Sequence, residues 1–100
     1  MDVDKAQATI KTLQDRGYNV IQVKNYFEWA LSAASTCDIR NVLWRMMEMD
    51  HLLGEVAQSA LKGSHTIPKL GEHLRLLADL QNEAVTEVLA TLKAKQCKCG

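Results

Sequence analysis

From Ile39 to Ala60, apolar residues recur at Ile39, Val42, Met46, Met49, Leu53, Val56 and Ala60, an unbroken alternation of three- and four-residue steps. On a 3.6-residue period these positions share one face, so the spacing predicts a single helix with a single seam. At 1.5 Å per residue the seam is roughly 35 Å long. A surface of that length has to be covered by something.

The same periodicity divides the rest of the chain. Asp2 can cap a first helix with Val3, Ala6, Ile10 and Leu13 on one face, and Gly17 after Arg16 is a C-terminal stop. Asn19 is the expected cap of a second helix lined by Val20, Val23, Phe27, Ala30, Leu31 and Ala34, with Tyr26 and Trp29 flanking that face. Ser35-Thr36-Cys37-Asp38 is a break rich in capping residues, and the third helix follows from about Ile39 to Lys62. Gly63 ends it, Pro68 suits the first turn of the next, and the fourth helix runs from about Pro68 to Lys95. On this last helix Leu76, Leu80, Val85, Leu89 and Leu92 widen the apolar face beyond one seam, so it is expected to touch more than one neighbour.

The expectation is an all-α antiparallel four-helix bundle dominated by a long hairpin of helices three and four. Residues 1–95 form one helical domain, and 96–100 a flexible tail containing cysteines. The first two helices are each roughly 22 Å long. Each covers only about half of a long helix, and the uncovered length asks for a second copy of the chain.

Composition narrows the function classes. Twelve Lys plus Arg balance twelve Asp plus Glu, leaving no field to steer the chain to nucleic acid and little charge to resist self-association. The N-terminus lacks the basic and apolar regions of a secretory signal, and no run approaches the ~18 apolar residues of a membrane span. The expected location is therefore the cytoplasm, with no membrane partner. Three cysteines, Cys37, Cys97 and Cys99, are an odd number, and bridging Cys97 to Cys99 would close a very small ring. No disulfide framework is expected.

Four clusters carry candidate chemistry. Glu48, His51 and Glu55 share the Glu-x-x-His spacing by which ferritin-like bundles present metal ligands, although no second such motif follows. Cys97 and Cys99 supply two thiolates where a structural zinc needs four ligands, which two tails meeting in a dimer would provide. Glu55, Asp79 and Glu83 lie on the two long helices, as do the magnesium-binding acids of helical nucleotide pyrophosphohydrolases, but without that family's Glu-Glu-x-x-Glu pattern. Ala60-Leu61-Lys62-Gly63-Ser64, followed by Leu70-Gly71 and Leu74, resembles the stretch after the phosphorylated histidine of histidine phosphotransfer domains, which are also four-helix bundles. That resemblance covers about fifteen residues and implies phosphotransfer, but Ser59 stands where the family carries its histidine, and His65 falls in a predicted loop.

No Gly-rich phosphate loop is present, and no cofactor is expected. What remains is an interaction surface. Trp44 and Met47 lie off the seam of helix three, and Trp29 and Tyr26 flank that of helix two; Trp is a favoured interface anchor and Met adapts to irregular partners. The expected function is a non-catalytic protein–protein interaction module of adaptor, chaperone or inhibitor type. It would be homodimeric and would bind a protein partner through Trp44, Met47, Trp29 and Tyr26. The alternative is a phosphotransfer-like or carboxylate/His metal-binding bundle.

Overall fold

Ala, Leu, Glu, Gln, Lys and Met dominate the chain and a single Pro interrupts it, a composition that favours helix along nearly its whole length. The computed structural model describes residues 3–63 and 66–97. These fold into α1 (Val3–Asp15), α2 (Ile21–Ser35), α3 (Ile39–Gly63) and α4 (Ile67–Ala94), with no strand among the described residues. The four helices pack into an all-α bundle of 47 × 23 × 20 Å. No helix of it is long and apolar enough to cross a membrane.

Local chemistry sets the helix ends. The Asp38 side chain accepts a 3.1 Å hydrogen bond from the Asn41 amide, capping α3 three residues in. Asn19, the expected cap of α2, is not used: α2 starts after Val20 and α4 after Thr66, neither with a side-chain cap bond. Asp2, the expected cap of α1, lies outside the described residues, as do Ser64 and His65 between α3 and α4.

The ends of α1, α2 and α4 share one motif. In each, the residue past the cap turns left-handed, and two amides reach back to the last carbonyls. At α1 the left-handed residue is Gly17, with Gly17 N–H to Gln14 at 2.9 Å and Tyr18 N–H to Leu13 at 3.1 Å. At α2 it is Cys37 (φ 58°), with Cys37 N–H to Ala34 at 3.1 Å and Asp38 N–H to Ala33 at 2.9 Å. At α4 it is Gln96 (φ 54°), with Gln96 N–H to Lys93 and Cys97 N–H to Leu92, both at 3.0 Å. A side chain in this conformation crowds the following carbonyl, so Cys37 and Gln96 hold positions where glycine is free of penalty.

The predicted seam of α3 is the core line. Val42, Met49, Leu53, Val56 and Ala60 are buried, while Ile39 and Met46 are partly buried against the same clusters. Each large buried side chain contributes about 1.5–3 kcal/mol. One cluster joins Ile10 and Leu13 of α1, Phe27 of α2, Met49, Leu53 and Val56 of α3, and Leu77 and Leu80 of α4. A second joins Ala30, Ala33 and Ala34 of α2 to Val42 of α3 and Val88 and Leu92 of α4. This seam is therefore buried within the chain. The two clusters follow one another along α2, which together with α4 covers the seam from Val42 to Val56.

The cysteines also depart from expectation. Cys37 and Cys97 form a disulfide with their Cα atoms 5.4 Å apart, across 60 residues of sequence. Sequence distance hid this pairing, which exists because the capping turns of α2 and α4 arrive at the same end of the bundle. Gln96 and Cys97, the first residues of the expected tail, are held by the α4 cap. The half-buried Cys97 packs on the second cluster, and residues 98–100 lie outside the described part.

Closing a 60-residue loop corresponds to roughly 4 kcal/mol of unfolded-state entropy. Reduction with a dithiol is expected to lower the unfolding free energy in urea melts by about that amount, and an unchanged midpoint would show that the bond does not constrain the fold. Gln96→Gly is expected to raise stability by about 1 kcal/mol by relieving the left-handed penalty, measured in the same melts with the disulfide intact.

Candidate functional site

On α2 the four-residue helical repeat leaves Tyr26 and Trp29 beside, not within, the line of Val23, Phe27 and Ala30. Their rings meet edge to face, centroids 5.0 Å apart and planes at 87°. From α3, the Arg45 guanidinium lies over both, 4.7 Å from the Trp29 ring centre and 5.4 Å from that of Tyr26. The positive planar group faces two negative ring faces, an attraction worth about 0.5–1 kcal/mol at a partly wet site. It braces Trp29, which stays 45% exposed. Arg45 Nε is buried without a hydrogen-bond partner, and an open hollow of about 220 Å³ lies alongside, lined by Trp29, Ser32, Thr36, Asn41 and Arg45.

Trp44 is next to Arg45 in sequence and three residues beyond Asn41; it is 56% exposed, and Met47 one step further round is 67% exposed. The four interaction residues therefore differ in environment. Tyr26 and Trp29 form an organised pair under Arg45, and Trp44 and Met47 project from the outer side of α3. Sequence reasoning did not find Arg45. Its signal was available only as a cation whose helical position brings it to the α2 aromatics.

The metal candidates do not converge. His51 Nε2 pairs with Glu55 Oε1 at 3.2 Å on an exposed part of α3, as residues four apart on one helix do. Glu48 makes no hydrogen bond or ion pair there, and among the described residues no three His, Cys, Asp or Glu side chains gather in a way that would hold a metal ion. Cys97 is committed to Cys37, so it offers no thiolate while that bond stands, and Cys99 lies outside the described residues. Glu83 accepts a 2.8 Å hydrogen bond from the Thr9 hydroxyl of α1, while Glu55 is turned to His51 and Asp79 is exposed, so these three acids are not brought together.

A polar cluster missed in the sequence lies between α1 and α4. The Tyr18 hydroxyl, just past the α1 cap, is hydrogen-bonded to Nδ1 of the buried His73, with the two rings edge to face. Burial pushes the Tyr18 phenol up from its ordinary value. Alongside, Arg16 pairs with Glu72 at 2.6 Å. Its hydrogen bond and charge hold the Glu72 carboxyl below the ordinary carboxylate range. Tyr18, His73, Lys69 and Ser59, the last at the position of the phosphotransfer family's histidine, line an open hollow of about 520 Å³, and Nδ1 of His73 is already bonded to Tyr18. The cluster ties α1 to α4 and leaves the imidazole Nδ1 unavailable for attack.

No family model matches the chain, no curated protein matches it, and no solved structure matches it.

Glu72 gains its partner only in the folded chain, so the pair's contribution is present above the ordinary carboxylate pKa and lost as pH falls through the lowered one. In acid titrations of stability, Glu72→Gln is expected to flatten the slope below the ordinary carboxylate range, by a small amount because the pair is exposed and screened. Tyr18→Phe, which strands the buried Nδ1, is expected to cost about 1–3 kcal/mol, and urea melts would show it.

Proposed function

We propose that the chain is a non-catalytic protein-interaction module of adaptor, chaperone or inhibitor type, homodimeric, whose α3 and α4 form an antiparallel hairpin. The observation that carries this reading is the trio Tyr26, Trp29 and Arg45. Trp, Tyr and Arg are the residues most enriched among interface hot spots, and here the half-buried Tyr26 and Arg45 hold an exposed Trp29. A partner that docks on Trp29 therefore orders little that is not ordered already.

The hairpin orientation is supported by which ends share a cluster: Val42, early in α3, with Val88 and Leu92, late in α4, and Val56 with Leu77. The absence of chemistry is a proposal too, supported by the occupied Nδ1 of His73 and the mutual pairing of His51 and Glu55. On location, the Cys37–Cys97 bond favours a second reading over the cytoplasm, because disulfides persist chiefly in oxidising compartments.

Affinity capture tests the module directly by comparing the wild-type chain with Trp29→Ala and Trp44→Glu variants of unchanged helicity. The expected result is a protein retained stoichiometrically by the wild type and reduced roughly tenfold or more by either change. Equal recovery by all three chains would contradict it.

A further inference from the structure

The core seam is not the only heptad line on α3. Leu43, Met47, Asp50, Gly54, Ala57 and Leu61 follow one another by steps of four and three along the outer side of the same helix. On α4, Gly71, Leu74, Ala78, Gln81, Val85 and Leu89 do the same. Each line has one polar member, and the two polar members are bonded to each other, Gln81 Nε2 donating to Asp50 Oδ1 at 2.7 Å. That bond sets the lines side by side as one face.

We propose that this outer α3–α4 face is closed by a second copy of the chain, packed across a two-fold axis that passes through the Asp50–Gln81 layer. The inference rests on the homodimer proposed above and names the surface that makes it. Three observations select a copy of this chain as the occupant.

The first is shape. With α3 and α4 antiparallel, Leu43, Met47, Val85 and Leu89 gather at one end of the face, where Met47, Leu43 and Leu89 are at least 60% exposed. Toward the other end the small residues Gly54, Ala57, Gly71 and Ala78 separate the exposed Leu61 and Leu74, and a Cβ placed on Gly54 or Gly71 would meet nothing within 4 Å. A two-fold perpendicular to the hairpin lays the continuous apolar end of each copy over this small-residue end of the other, whose gaps between Leu61 and Leu74 can receive it.

The second is the polar layer. Gln81 keeps a second amide hydrogen and Asp50 a second oxygen beyond the bond they share. Two such pairs brought together at the axis satisfy each other, and a single polar layer in an apolar seam fixes register, as it does in coiled coils. Asp50 is the only charged residue in the two lines, and the axis brings it near its own copy, a like-charge contact that the two Gln81 amides have to offset by donating to both carboxylates.

The third is area. The chain exposes 6595 Å², whereas a compact monomer of 11.2 kDa exposes about 5,700 Å². The surplus of about 900 Å² compares with about 800 Å² per partner in a standard specific interface.

Sedimentation equilibrium on the full, disulfide-bonded chain, with circular dichroism as a check on folding, tests this. The wild type is expected to sediment at twice 11.2 kDa. Leu43→Glu combined with Leu89→Glu, and separately Ala78→Arg at the small end, should each weaken the dimer roughly tenfold or more with helicity unchanged, while Trp44→Glu leaves it intact. A dimer that survives both outer-face variants and dissociates with Trp44→Glu would overturn the proposed face and leave the homodimer standing. A wild type that stays monomeric at about 1 mM, where even a weak complex of millimolar Kd is substantially formed, would overturn the homodimer and the face together.

Discussion

Two helices of 25 and 28 residues have only helices of 13 and 15 residues to cover them, and the rest of the structure follows from that disproportion. A helix presents roughly one apolar stripe to a core, and the seam of α3 takes all the cover that α2 can give. The other flank of α4 receives α1, held there by Thr9 to Glu83 and Arg16 to Glu72. Among the described residues no further helix is left for the outer sides of α3 and α4, and the exposed apolar residues Leu43, Met47, Val85 and Leu89 lie there.

The disulfide belongs to the same constraint. A long helix whose last turn passes beyond its neighbours would fray, because its final carbonyls and apolar side chains have nothing to meet. Here two left-handed caps, at Cys37 and Gln96, turn the ends of α2 and α4 toward each other, and Cys37–Cys97 locks them over the alanine-rich cluster of Ala30, Ala33 and Ala34. Small side chains in α2 let the helices approach closely at this end. The bond then contributes mainly by restricting the unfolded chain.

Periodicity made the helices legible. The stripe from Ile39 to Ala60 is the α3 core line, Gly17 takes the left-handed stop, and Asp38 caps α3. What the chain alone concealed depends on which helix sits beside which. The seam's cover could not be read from lengths, since α2 and α4 share it; Cys37 and Cys97 are neighbours only after α2 and α4 have packed. Arg45 over Trp29, and Tyr18 on His73, are likewise contacts between helices, with no signature within either one. Even the second heptad lines were partly visible, in the width of the apolar face of α4, yet only the Asp50–Gln81 bond shows that they lie together.

The account holds that the molecule's unsatisfied surface is the outer α3–α4 face, while the aromatic side stands apart from it. Methyl and amide NMR shifts of the oxidised chain, followed on serial dilution, probe that claim at every residue at once. The account predicts concentration-dependent shifts at Met47, Leu43, Val85 and Leu89 that fade together on dilution, with the indole of Trp29 unmoved. Shifts confined to Trp29 and Trp44, or a spectrum that does not change with concentration, would contradict it.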